Sequence, residues 1–72
     1  MALLFMEAVG PNAEQLALDA GAAADVAVGY DSDLGSATFD SDVHDDAGLR
    51  DVVTEALASL DPDWETHLRV TE

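Results

Sequence analysis

The segment LRDVVTEALASL, residues 49–60, carries the clearest periodic pattern in the chain. Its large apolar side chains recur at i, i+3, i+4, i+8 and i+11, the spacing of one helix face: Leu49, Val52, Val53, Leu57 and Leu60. Asp45 or Asp46 supplies an N-cap in front of this face. Pro62 disfavours helical geometry at the residue before it. The pattern therefore predicts an amphipathic helix that ends near Leu60.

Alternating patterns flank this helix on both sides and indicate strands. On its N-terminal side, residues 26–30 and 37–40 alternate around the turn sequence DSDLG, residues 31–35. Such a pair of alternating segments joined by turn residues predicts a hairpin. On its C-terminal side, Thr66, Leu68 and Val70 alternate with polar residues, so the chain is expected to close with a short strand.

The first segment, residues 2–9, reads ALLFMEAV and is apolar on both alternations except at Glu7. This pattern is typical of a central strand, with Leu4, Met6 and Ala8 on one face. Leucine, methionine and alanine are also good helix formers, so a helix remains the alternative for this segment.

A short helix is predicted over residues 13–20. Gly10 and Pro11 break the first segment, and Asn12 with Gln15 three positions later forms a variant capping box. Gly21 is a plausible C-terminal stop, although residues 22–24 can extend the helix.

The predicted order is strand, helix, strand, strand, helix, strand. In one two-layer domain, this order corresponds to the ferredoxin-like βαββαβ plan, an α+β sandwich with both helices on one sheet face. Residues 1–72 are expected to form a single domain, because a chain of this length is too short for two. The alternative is a smaller mixed α+β domain in which the first segment is helical or the last is coil.

The charge balance is extreme. Sixteen acidic residues face two arginines and no lysine, for a formal net charge of −14. Such charge destabilises a compact state in dilute buffer, and concentrated salt screens the repulsion. The whole composition resembles that of proteins from salt-in haloarchaea, which implies a halophilic archaeal source. With only Arg50 and Arg69 to neutralise phosphates, direct nucleic-acid binding is not expected.

Several other classes of function are disfavoured by the sequence. The chain has no cysteine, so disulfides, thiolate zinc sites and iron–sulfur clusters are excluded. We see no apolar run near 18 residues and no cationic segment before the apolar start, so neither a membrane span nor a secretory signal is supported. The protein is expected to be soluble and cytoplasmic.

The densest acidic cluster surrounds His44 and is the one candidate for a metal site, with Asp40, Asp42 and Asp45 as the other weak candidate ligands. Oxygen-rich loops of this kind can bind Ca²⁺ or Mg²⁺. Counted from Asp40, however, the calcium-loop pattern fails at its fifth, sixth and twelfth positions, the last of which is Asp51. We expect a solvated, helix-capping loop, and a small metal- or ligand-binding protein is the alternative function.

No catalytic constellation and no cofactor motif stands out. His44 and His67 are the side chains whose ordinary titration lies near neutrality, but neither is paired in sequence with a nucleophile. The glycines do not form a phosphate or dinucleotide loop. The sequence therefore predicts no catalytic residue and no cofactor.

The segment DAGLR, residues 46–50, leads into Val52, Val53 and Leu57. It resembles the Leu-Arg start of the second helix in the small subunits of the KEOPS complex, which also present two strands before that helix. The resemblance implies a second alternative, a dimerisation subunit of a tRNA-modifying complex.

The first strand also predicts an interface. If Leu4 and Met6 meet the helices, then Leu3, Phe5 and Val9 point to the other sheet face, where a two-layer domain leaves them exposed. We therefore expect a non-enzymatic interaction module that forms a homodimer or docks on a protein partner. Glu7 is expected at the rim or paired with Arg69.

The single tryptophan, Trp64, follows Pro62 and is a further interface candidate. The alternative, which we favour, is that Trp64 folds back over the core and covers the end of the second helix.

Overall fold

Four antiparallel strands form one sheet in the order β2-β3-β1-β4 in a computed structural model, which describes residues 1–71. Glu72, the last residue of the predicted domain, lies outside the described residues. The elements are β1 (Ala2–Ala8), α1 (Ala13–Ala24), β2 (Ala27–Asp31), β3 (Ser36–Ser41), α2 (Asp46–Leu60), a 3₁₀ turn (Trp64–Thr66) and β4 (Leu68–Val70). The helices pack on each other and on one sheet face. This confirms the α+β prediction, and the order of elements and strands is that of a small ferredoxin-like sandwich.

The first segment is a strand, because it pairs with β3 on one side and with β4 on the other. Ala2, Leu4 and Met6 are buried against the helices, and the residues between them face away. The strand ends at Ala8, one residue earlier than predicted. Val9 therefore lies outside the strand, where its backbone N–H donates to the His67 carbonyl at 2.8 Å and its side chain is exposed.

The core lies between the inner face of the sheet and one face of each helix. The sheet contributes Phe39 and Met6, both fully buried, and α2 contributes Leu49, Val53 and Leu57. Helix α1 contributes mainly alanines and Leu16. Because those side chains are small, α1 packs closely against the sheet.

Helix α1 begins at Ala13, as predicted, but without the predicted cap. Asn12 precedes it, but its side chain makes no capping hydrogen bond, and the Gln15 amide donates instead to Asp19 Oδ1 at 2.9 Å. The predicted capping box is therefore wrong. At the other end the stop at Gly21 is wrong and the alternative is right: the helix extends through residues 22–24 and ends at Asp25, which adopts the left-handed conformation with φ 58°.

Helix α2 begins after Asp45 and ends at Leu60, as predicted. The Asp45 carboxylate accepts the Gly48 N–H at 2.7 Å and caps the first turn. The predicted face is buried as far as Leu57, whereas Leu60, the last helical residue, is 46% exposed. The inward assignment of Leu60 is therefore wrong, because the helix ends at this residue.

The closing strand is shorter than its alternation predicts. Thr66 belongs to the 3₁₀ turn, where its N–H and its hydroxyl both donate to the Asp63 carbonyl, at 2.9 and 2.7 Å. These local hydrogen bonds hold Thr66 in the turn and delay the strand until Leu68. Trp64, in the same turn, is half-buried and packs against the core, as the fold-back alternative expected.

Candidate interaction surface

The sheet face opposite the helices, here called the open face, is organised in three rows that cross the strands. Strand alternation sets which residues point outward, and the strand register sets which of them are neighbours. The first row contains Ala27, Asp40 and Leu3, the middle row Gly29, Thr38 and Phe5, and the third row Asp31, Ser36, Glu7 and Arg69. The rows differ in charge, since the middle row has none and the third has three charged side chains.

Two large apolar side chains lie side by side on this face. Leu3 and Phe5 both belong to β1, a central strand, and are 39% and 40% exposed. Their neighbours in the rows toward β2 are short or polar, so no large side chain covers them from that direction. Of the predicted interface residues, these two are brought together on the sheet, whereas Val9 lies beyond the strand and Trp64 packs on the core.

Glu7, the acidic residue of β1, is paired with Arg69, as predicted. Glu7 is directly opposite Arg69 in the pairing of β1 with β4, and their side chains form an ion pair through Oε1 of Glu7. Beside this pair, Thr71 donates from its N–H and its hydroxyl to the Phe5 carbonyl, at 3.0 and 3.1 Å. The ion pair leaves Asp40 and Asp31 as the acidic residues of the open face that have no arginine opposite them in the register.

The candidate metal ligands are not assembled into a site. Asp40 points to the open face, whereas Asp45 caps α2 and Asp42 is exposed in the loop between β3 and α2. Within residues 1–71 no three histidine or acidic side chains are grouped so that they could bind a metal ion. Asp46, next to the cap, accepts the Leu3 N–H at 3.3 Å and so ties the helix start to β1.

Both histidines make local structural contacts. His44 Nδ1 lies 2.8 Å from the hydroxyl of Ser41, a buried residue whose Oγ also accepts the backbone N–H groups of Val43 and His44. His67 Nε2 lies 3.7 Å from Asp61 Oδ2. The Ser41 hydroxyl is thus used to close the turn that leads into α2, which does not favour a role for it as a nucleophile. The sequence analysis did not predict this contact, although residues 41–44 have the Ser-x-x-His spacing from which a serine side chain can close a turn.

The two arginines line one surface groove beside β4. Besides Arg50 and Arg69, the groove is lined by Trp64, Thr54 and Glu65, among others. Arg69 is already paired with Glu7, and Glu65 adds a second carboxylate. The groove therefore has little net positive charge for an anionic ligand, and the open face is the stronger candidate surface.

No protein-family model, no curated protein and no solved structure matches this chain. The resemblance of the α2 segment to the KEOPS subunits therefore stays a resemblance of that segment. Within the described residues, neither helix is long and apolar enough to cross a membrane.

Proposed function

We propose that this protein is a non-catalytic interaction module that pairs with a second copy of itself through the open face, in concentrated salt. The observation that carries the proposal is the adjacent pair Leu3 and Phe5, about two-fifths exposed on a central strand. A two-layer sandwich leaves this face without a covering layer. The Ser41 hydroxyl beside His44 accepts two backbone N–H groups and is held in the turn, which supports a function without catalysis.

The size of the chain supports pairing as well. A domain of 72 residues buries a smaller fraction of its surface than a larger one and builds a small core. Covering Leu3 and Phe5 with the same residues of a second copy removes apolar surface from water on both sides. Two-fold dimers are the commonest closed assembly of identical chains.

The charge of the chain sets the conditions for pairing. Two chains of −14 repel each other in dilute buffer, and that repulsion is screened when the Debye length falls to about 3 Å near 1 M salt. The uncharged middle row and the Glu7–Arg69 ion pair reduce the cost of bringing the open faces together. Pairing is therefore expected to strengthen as the salt concentration rises.

The test compares Phe5→Asp with Leu34→Asp by sedimentation and light scattering in about 2 M KCl. Each substitution replaces an exposed apolar residue with one negative charge, but Leu34 lies in the β2–β3 turn and is 77% exposed. The unmodified chain and Leu34→Asp should approach twice the 7.5 kDa chain mass as concentration rises. Phe5→Asp should stay at the mass of one chain.

A chain that remains at 7.5 kDa at the highest concentration, with Phe5→Asp indistinguishable from it, would remove the homodimer. The remaining possibility is then a different protein on the same face. It would be sought by crosslinking at the same salt concentration, with Phe5→Asp as the negative control.

A further inference from the structure

Gly29 has no evident role within its own chain. It lies in the middle of β2 on the open face, and a Cβ built on it meets no atom within 4 Å. Among the glycines of residues 1–71, Gly35 alone has a positive φ, so Gly29 is not required by its backbone conformation. Gly10 differs, since a Cβ there would lie 2.9 Å from His67 Cα.

A glycine inside a strand weakens the strand, because it loses more conformational entropy on folding than other residues and offers no side chain to pack. Strand glycines often mark a bulge, a tight bend, or a position where a ligand or another backbone approaches closely. The β2–β3 register runs through Gly29 without a bulge, and no atom of its own chain approaches its Cβ position, which leaves the approach of a second molecule. Its role is therefore to be sought outside the chain.

The open space above Gly29, here called the hollow, lies at a fixed distance from Phe5, the largest exposed side chain of the open face. Gly29 is opposite Thr38, and Thr38 is opposite Phe5, so Phe5 lies two strands from Gly29 in the same row. Neighbouring strands are about 4.8 Å apart, which puts Thr38 midway along a separation of about 10 Å. A protruding ring and a hollow thus lie at equal distances on either side of β3.

This arrangement is self-complementary. Consider a two-fold axis that runs along β3 between two facing sheets and passes over Thr38. The axis exchanges the positions of β1 and β2, so that each Phe5 comes to lie over Gly29 of the other copy. The same axis puts Leu3 over the small Ala27 of the second copy, because these residues occupy the ends of the first row.

This axis makes a like-charge contact in the third row, which Arg69 offsets in part. It brings Asp31 of the second copy close to Glu7, beside which Arg69 is already paired. The arginine then lies near two carboxylates, one from each copy. The axis also brings the two copies of Asp40 to face each other, and this like-charge contact requires screening by salt.

From these observations we infer that the protein forms a two-fold dimer in which Phe5 of each copy packs on Gly29 of the other. The inference rests on the self-association proposed above and adds the contact and the axis. Four strands of about five residues give a face of roughly 19 by 17 Å, which is smaller than a standard interface. The dimer is therefore weak and concentration-dependent, with a dissociation constant in the micromolar range or above.

Gly29→Val tests the contact, because folding and pairing should respond differently. The valine Cβ meets open space in the single chain and valine favours strands, so the melting temperature of the dilute protein should stay the same or rise. In the dimer the added atoms collide with the second copy's Phe5, and the dissociation constant should increase about tenfold or more. Ala58→Val, on the exposed surface of α2, should leave it unchanged.

Single cysteines give a second readout, since the chain has none of its own. Thr38→Cys lies on the axis and should crosslink to itself through a short bismaleimide in about 2 M KCl. Ala58→Cys, exposed on α2 in the helix layer that lies behind the sheet, should not.

Two results separate the inference from the function on which it rests. A dimer that Phe5→Asp disrupts, but that Gly29→Val does not weaken and Thr38→Cys does not crosslink, would overturn the Phe5–Gly29 contact and leave self-association standing. A chain that is monomeric at every concentration would overturn both. Unfolding of dilute Gly29→Val would show that Gly29 serves its own chain and would also overturn the inference.

Discussion

Gly21 is a buried residue within α1 and lies where this helix crosses β2. A Cβ at this position would lie 2.8 Å from Val28 Cβ and still closer to Val28 Cγ1. Alanine gains about 1 kcal/mol of helix propensity over glycine, whereas overpacking a core typically costs about 1–3 kcal/mol. We therefore expect Gly21→Ala to lower the free energy of unfolding by about 1 kcal/mol in urea denaturation.

The steric cause is tested with Val28→Ala, which removes Cγ1, the Val28 atom nearest to the new Cβ. In a double-mutant cycle the two substitutions should couple favourably, because alanine removes the closest contact and leaves only the approach of the two Cβ atoms. Additive effects, or a stabilised Gly21→Ala single variant, would show that α1 does not approach β2 this closely.

At the scale of a single element, α2 depends on a cap that α1 lacks. Asp45 has an extended backbone and accepts the Gly48 N–H at 2.7 Å, whereas the side chain of Asn12 caps nothing. Removing an N-cap side chain costs about 0.5–2 kcal/mol. Asp45→Ala should lower the free energy of unfolding by about 1 kcal/mol, and Asn12→Ala should leave it nearly unchanged, by urea denaturation at constant salt.

Asp42→Ala is the matched control, because it removes the same charge from the same loop at an exposed residue. It should change the free energy of unfolding by less than about 0.5 kcal/mol. Added Ca²⁺ or Mg²⁺ should leave the difference between the two variants unaltered. Stoichiometric metal binding that both substitutions abolish would instead favour the metal-binding alternative.

For the whole molecule, the net charge of −14 is the dominant electrostatic feature. The Debye length falls from about 10 Å at 0.1 M salt to about 3 Å at 1 M, so repulsion among exposed carboxylates weakens steeply over this range. We expect the melting temperature, followed by circular dichroism at one protein concentration, to rise between about 0.1 M and about 2 M KCl.

A variant with fewer charges separates screening from other effects of salt. Asp42→Asn, Asp51→Asn and Glu55→Gln together remove three exposed negative charges. This variant should show a smaller rise in melting temperature over the same range of KCl. Equal melting temperatures of the unmodified chain at both salt concentrations would contradict the halophilic interpretation.

Much of the fold is predictable from the sequence, because periodicity is a local property. The i, i+3, i+4 pattern of α2, the hairpin turn and the stop at Pro62 involve residues close along the chain, and the structure confirms each of them. The order of elements then restricts the topology to few choices. The exposed pair Leu3 and Phe5 followed from the same alternation, once β1 was assigned as a strand.

Only the tertiary structure decided features that depend on residues far apart in the chain. Gly21 lies inside α1 and against Val28 of β2, and the turn at Thr66 replaces part of a predicted strand. The row that joins Gly29, Thr38 and Phe5 exists only because three separate strands pair in one register. Alternation assigns a residue to a face, but the physical reason that it has a particular neighbour is the hydrogen-bonded pairing of the strands.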